Sequence, residues 1–473
     1  MVLPLQPFGV MMSIRMFQPE PAARRHRLFR PAAVLLLLSL LPAASPLLAQ
    51  DWVHLTAGNN NSEIRLAAAS FRPVTTDPAT LADKQTFDSV LFADLSNAGI
   101  FAMVSRSLAP QATPGSPSEI NLAQWAQAPP SAAMVAFGNI SIQNGNLIAN
   151  GFLDDTRNSQ YPQVFAKQYT GPAGDQTARE LAHQFADDII FRLSGGTPGI
   201  SESKIFYSQR MGNGVKEIWM MDYDGANKLQ LSHLGQDSIS PAVSPDDSVV
   251  AFSALTHDGF ELRMYSLLLG RIVHFINIGS ANVSPAWSPS GQQLAFSSSR
   301  SGSSEIWISD PQGALSHRIT NYGGLDVSPS WNPKTGTQIA FVSGRTGLPQ
   351  LYIMDEDGSG VTRMTDGGYA TSPSWSPNGQ FIAFAWDRHY GPGAPGGQDI
   401  YVMEVATKRW IQLTHDIGRC DFPTWSPDGR HIAFANSPDG RDNHNRIVSM
   451  LADGTQRQVL TGYGADMPDW SWK

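Results

Sequence analysis

The chain of 473 residues holds a single cysteine, Cys420, which rules out any internal disulfide. It contains no Gly-x-Ser-x-Gly, so the strained turn that presents a hydrolase serine is missing. It contains no His-Glu-x-x-His either, so the helical zinc pair of a metalloprotease is missing too. Charge is sparse: 16% of residues are Asp, Glu, Lys or Arg, with 41 acids against 33 bases and a net charge of −8. Such a balance lacks the basic patch that nucleic acid or an anionic bilayer requires.

Long apolar runs are scarce as well. Val34–Leu41 ends at Pro42 and is too short to span a bilayer. Arg24, Arg25, Arg27 and Arg30 precede it, and small residues and prolines follow it to Gln50. Residues 1–50 therefore read as a signal peptide, with cleavage somewhere from Ala44 to Gln50 and Met11, Met12 or Met16 as alternative starts. That segment carries five Arg and one Glu; removing its net +4 from −8 leaves an exported chain at −12. A lipid anchor at the new N-terminus would need a cysteine there, so the exported protein is expected to be soluble.

What is abundant is glycine, proline and tryptophan, at 42, 33 and 12 residues, and much of it falls in one repeated phrase. Clear copies are Ser284-Pro-Ala-Trp-Ser-Pro-Ser-Gly291, Ser328-Pro-Ser-Trp-Asn-Pro333, Ser372-Pro-Ser-Trp-Ser-Pro-Asn-Gly379 and Phe422-Pro-Thr-Trp-Ser-Pro-Asp-Gly429. Ser240-Pro-Ala-Val-Ser-Pro-Asp-Asp247 is weaker, and Met467-Pro-Asp-Trp-Ser-Trp472 is truncated. The first prolines stand at 241, 285, 329, 373, 423 and 468, a period of 44 to 50. Periods in this range with strands inside point to propeller blades.

Each unit reads as four strands: A carries Pro-x-Trp, B an aliphatic-Ala-Phe run such as Leu294-Ala-Phe296, C an alternating run such as Glu305–Ile308, and D a run such as Ser316–Thr320. The first unit, from Lys204, has B, C and D but no A; the last, at 467–472, is only an A. Joining them predicts a six-bladed ring closed by both chain ends, with residues 467–472 beside 204–208. An open solenoid or two sandwiches would not need the borrowed strand. With only Lys473 after the ring, no attached hydrolase domain is expected.

Residues 51–196 read as a separate α/β domain and 197–473 as the propeller. Phe87, Val90, Leu91 and Leu95 lie at helical spacing. Phe101–Val104 is a candidate strand, and Met134–Phe137 and Leu147–Asn150 flank the hairpin signal Asn144-Gly145. Thr177–Leu193 is predicted as a helix capped by Asp175 and stopped at Gly195-Gly196. The Pro-rich stretch Ala109–Ser118 is a loop.

The ordered combination resembles the TolB family, periplasmic components of the Tol–Pal envelope system. The matching stretches are Phe92-Ala-Asp-Leu-Ser-Asn-Ala-Gly-Ile-Phe101, Phe152-Leu-Asp154, Ala182-His-Gln-Phe-Ala-Asp187 with Leu193-Ser-Gly195, and the Pro-x-Trp-Ser-Pro repeats. Local departures are Val243 for the repeat tryptophan, Asn332 for the serine, and a Gly/Pro-rich insertion, Tyr390–Gln398, in blade five. The resemblance implies a scaffold without chemistry of its own. Such proteins bind the lipoprotein Pal through the propeller, and so sit peripheral to the outer membrane. They contact TolA through the N-terminal region, keep the outer membrane attached, and help it constrict at cell division. Carried onto this chain, the Pal-contacting positions are Asn282, Val283, Ser284, Asp326, Val327, Ser328 and Thr371, of which Val327 departs from the expected small polar type. Position after the signal and before the flexible Gly58–Asn61 marks Asp51, Trp52, Val53, His54, Leu55 and Thr56 as an exchangeable terminal segment, and the resemblance implies TolA as its partner.

Four further features are weighed here. His183 and Asp187, at i and i+4, form a possible metal pair or a polar helix face. Asp237, Asp326, Asp421 and Asp466 each lie two to four residues before a strand A proline, so they are either cation ligands, Ca²⁺ for instance, at the channel mouth or turn formers. Trp287, Trp331, Trp375 and Trp425 are either interblade packing or a carbohydrate platform. Cys420 reads as a partly buried, unreactive thiol. The rival functions are thus a metal-dependent lactonase-like propeller and a carbohydrate-binding propeller.

Overall fold

The computed structural model describes residues 63–279, 281–391 and 397–473. The N-terminal part is a mixed sheet with two long helices on one face and a short one on the other. Strands β1 (Ile64–Ala68), β2 (Arg72–Pro73), β3 (Phe101–Met103), β4 (Met134–Gln143), β5 (Asn146–Asp155) and β6 (Gln163–Pro172) belong to one sheet, ordered β3-β1-β4-β5-β6, with β2 beside β4. Asn144 and Gly145 both have positive φ, 50° and 79°, which suits the two-residue turn joining β4 to β5. Helices α1 (Pro78–Asn97) and α3 (Asp175–Leu193) pack on the sheet through Phe87, Leu91, Leu95, Leu181, Phe185 and Ile189, all buried. The short helix α2 (Leu122–Ala126) places Trp125 against the opposite face with Val135 and Phe137. Asp175 does not cap α3: Gly174 is the N-cap, and the Asp175 carboxylate accepts from the Thr86 hydroxyl instead.

The rest is a ring of six four-stranded sheets. The inner strands are Ser238–Val243, Asn282–Trp287, Asp326–Trp331, Tyr369–Trp375, Arg419–Trp425 and Ala465–Trp470. The last of these pairs antiparallel with Lys204–Arg210, Asp466 opposite Ser208 and Trp470 opposite Ile205, so blade one is built from both ends of the ring. The D strands are shorter than predicted, two or three residues such as His317–Arg318, because twist accumulates outward and carries the rim strand out of register.

Two of the four repeat tryptophans bond to the preceding blade, while the indole N–H groups of Trp331 and Trp375 are buried without a partner among the described residues. Trp287 Nε1 donates to the Ala242 carbonyl of the preceding blade at 3.0 Å, and Trp425 Nε1 to that of Ser374 at 3.1 Å. The four repeat tryptophans are only 4–7% exposed, which is a packing role and leaves no ring face for a sugar. Where Val243 replaces tryptophan, Trp472 reaches in from the chain end: its Nε1 donates to the Val243 carbonyl at 3.0 Å.

In a propeller the A–B and C–D turns share one face, and the D–A and B–C loops the other. The N-terminal part rests on the first of these. Tyr223 and Asp224, in the C–D turn of blade one, meet the helices: Tyr223 Oη donates to Asp94 Oδ1 at 2.6 Å, and Arg179 Nη2 donates to Asp224 Oδ2 at 2.8 Å. His183 Nδ1 lies 2.7 Å from Asp94 Oδ2. At blade six, His431 Nε2 donates to the Asn97 carbonyl at 2.7 Å. Gly99, at φ 70°, lies so close to the propeller that a Cβ there would stand 2.8 Å from Leu451 Cδ2.

His183 and Asp187 neither pair nor form an open polar face. His183 turns into the joint, whereas Asp187 accepts backbone N–H groups from Ser201 and Glu202 in the linker, at 3.0 and 3.2 Å. Burial alone would push the His183 imidazole down, but the Asp94 carboxylate outweighs it and holds it above its ordinary value. A raised folded-state value means that the stabilisation is complete below the unfolded imidazole's pKa, about 6.5, and fades as pH rises through the folded one. Heat denaturation of the exported chain from pH 6 to 9 should show this loss, and His183→Gln should flatten it. A variant with the wild-type pH profile would show that the imidazole charge does not contribute.

Candidate partner-binding face

With the A–B and C–D turns of blades one and six covered, the opposite face is left open by the described residues. Its centre is shaped by proline. A proline has no N–H to give a sheet ladder, so within a strand it sits at an edge or a bulge. All six inner strands solve this alike. The register slips across the proline, between Val283 and Ala286 for example, and the residue before it takes a positive φ of 50–53°. Those residues are Ser240, Ser284, Ser328, Ser372, Phe422 and Met467. Such bulges re-aim side chains, here around the channel mouth. Neighbours touch along this ring: Ser240 Oγ lies 3.4 Å from Met467 Sδ, and Ser372 Oγ donates to Asp421 Oδ1 at 2.8 Å.

Below the mouth is a channel cavity of about 250 Å³, walled by inner-strand prolines and tryptophans, with Asp469 its one charged lining residue. Asp469 accepts the Val243 N–H at 2.8 Å, and burial pushes its carboxyl up to about 7. Ser330 and Thr424, at equivalent places, accept from the next blade's Trp375 and Trp470 N–H groups at 3.4 and 3.2 Å. The Asp469 carboxylate thus takes a structural position of the repeat.

The four acids predicted near the mouth do not act as one group. Asp326 pairs with Arg345 at 2.9 Å, Asp466 with Lys216 at 3.1 Å, and Asp237 accepts the Lys216 N–H at 2.8 Å. Asp421 accepts from Ser372 and the Phe422 N–H; burial pushes its carboxyl up to about 6, with nearby Asp466 adding to the shift. Among the described residues no three acidic, His or Cys side chains gather as a metal requires. Cys420 is fully buried, not partly, and burial pushes its thiol up to about 12, so it is inert.

The profile of the TolB beta propeller domain matches residues 191–473, and that of the TolB amino-terminal domain matches residues 53–161. The chain belongs to the TolB family. It is 30% identical over 255 residues to the protein TolB homolog of Chlorobium chlorochromatii, covering 54% of this chain and 55% of that one. It is 32% identical over 212 residues to the Tol-Pal system protein TolB of Geobacter metallireducens, covering 45% and 47%. The chain spans about half the length of the curated relatives it matches. The crystal structure of TolB from Acinetobacter baumannii has the same fold, with a TM-score of 0.73 at 22% identity over 88% of this chain and 98% of that one.

Of the positions that the TolB resemblance marks, Val283, Ser284, Val327, Ser328 and Thr371 are half-buried at the mouth. Asn282 and Asp326 are buried, at 1% and 0% exposure, beneath them. These two can hold the loops but not meet a partner, because their side chains point back into the blade to Asn277 and Arg345. The segment Asp51–Thr56 lies outside the described residues. Sequence reasoning missed the His183–Asp94–Tyr223 cluster. It also missed the bulges, although a proline inside each strand A is a signal for them.

Proposed function

We propose that this TolB-family chain is a non-enzymatic periplasmic scaffold of the Tol–Pal system. It binds Pal through the open propeller face and TolA through residues 51–56, helps to hold the outer membrane and takes part in its constriction at division. It needs no cofactor. The observation that carries the reading is the division of the propeller between its two faces. The N-terminal part occupies the A–B and C–D side, while the bulged serines lie on the other side. Variable loops gathered at one rim of a rigid scaffold make a binding surface.

The test uses the exported chain, residues 51–473, and the same chain lacking residues 51–57, each immobilised and offered purified soluble portions of Pal and TolA. The full chain should retain both. The shortened chain should lose TolA by about tenfold or more, as loss of a central contact of over ~1.4 kcal/mol requires, and keep Pal. Unchanged TolA retention would remove the segment from that role, and failure to retain Pal would overturn the reading of the face.

A further inference from the structure

The open face carries a recurring device at its rim. In blades three, four and five an arginine follows strand B and folds back over aromatic side chains. Arg300 Cζ lies 4.3 Å from the Trp307 ring centre and 5.3 Å from Phe296. Arg345 Cζ lies 4.9 Å from Tyr352, 5.4 Å from Phe341 and 5.5 Å from Tyr322. Arg388 Cζ lies 4.1 Å from Trp410 and 5.0 Å from Trp386. Serines fix two of them: Arg300 Nε donates to Ser298 Oγ at 3.0 Å, and Arg345 Nε to Ser343 Oγ at 2.8 Å.

Their charges are treated differently. Arg345 pairs with Asp326. Arg300 makes its remaining bond to the Ser316 hydroxyl, at 3.2 Å, and is half-buried. Neither Arg300 nor Arg388 has a carboxylate within ion-pair reach among the described residues. In a chain where acids outnumber bases 41 to 33, two stacked arginines left without an acid are informative. Arg388 is exposed and held by its stacking on Trp410, but Arg300 is half-buried, where water compensates a cation poorly and a carboxylate compensates it well. A guanidinium lying flat on a ring keeps its N–H edge free for two parallel bonds to a carboxylate. Held in place beforehand, it loses little freedom on binding. Tyr322, 44% exposed, lies against Arg345, and Tyr390, 52% exposed, packs on Tyr369 two residues after Arg388. Arg, Tyr and Trp are the side chains enriched where protein interfaces concentrate their energy.

We infer that this rim, from blade three to blade five, is a docking strip for carboxylates of a protein partner, with Arg300 and Arg388 each receiving an Asp or Glu side chain. The inference rests on the reading that Pal docks on this face, and Pal is the occupant it commits to.

The experiment measures Pal binding to the exported chain by calorimetry at low and high NaCl. It compares wild type, the double variant Arg300→Gln/Arg388→Gln, and Arg271→Gln on the opposite face as a control. The double variant should bind about tenfold or more weakly at low salt, with a shallower salt dependence and an unchanged melting temperature, while Arg271→Gln behaves as wild type. Wild-type affinity and salt dependence in the double variant would overturn the inference while leaving the Pal reading standing. If wild type itself does not bind Pal, the Pal reading falls, and sodium poly-L-glutamate becomes the probe. Salt-sensitive binding lost in the double variant supports the carboxylate strip, and its absence from wild type overturns it.

Discussion

Deleting residues 467–473 should lower the melting temperature of the exported chain by about 10 °C or more. The deletion removes most of the innermost strand of blade one, which pairs with Lys204–Arg210, and exposes that strand's edge. It also removes Trp470, whose Nε1 donates to Ser203 Oγ at 2.8 Å, and Trp472, which fills the place beside Val243. A buried tryptophan is worth about 3–5 kcal/mol against alanine, and each kcal/mol moves the midpoint of a domain this size by roughly 2–4 °C. Trp472→Ala alone should give a smaller fall. Calorimetry on the three proteins decides the matter: equal midpoints for the truncated and full chains would mean that the ring is not held closed in this way.

Ser284→Arg should weaken Pal binding roughly thirtyfold or more, because loss of a central packed contact commonly costs over ~2 kcal/mol. The backbone at Ser284 has φ 53°, a conformation that an unbranched side chain tolerates better than a β-branched one. The new side chain would therefore project over the channel mouth and block approach rather than unfold blade three. Val327→Arg, in the next blade, should act in the same way. Ser290→Arg places equal bulk and charge in an A–B turn on the other face and should leave the affinity unchanged. Titrations showing the same loss on both faces, or a loss only from Ser290→Arg, would move the Pal site elsewhere.

The ring was legible because its information is local and repeated. A phrase recurring every 44 to 50 residues shows blade number, strand order and the missing strand without any knowledge of contacts. The channel-mouth bulges were equally local, since each proline sits inside a strand and cannot join its ladder. The joint between the two parts was not legible. Asp94, His183 and Tyr223 are 89 and 129 residues apart along the two bonds that unite them, and nothing in their neighbourhoods distinguishes a buried partner from a polar helix face. The arginines at the rim looked like ordinary surface charge. Only the fold brings Arg300 over Trp307 and shows that no acid among the described residues answers it.

The borrowed strand of blade one also sets a schedule. Blades two to six can each pair their four strands as soon as they emerge, but Lys204–Arg210 has to wait for Ala465–Trp470, more than 250 residues later. Closing so long a loop is slow compared with local hairpins. Until Ala465–Trp470 is in place the edge of blade one stands open, and in that interval it is exposed to mispairing and proteolysis.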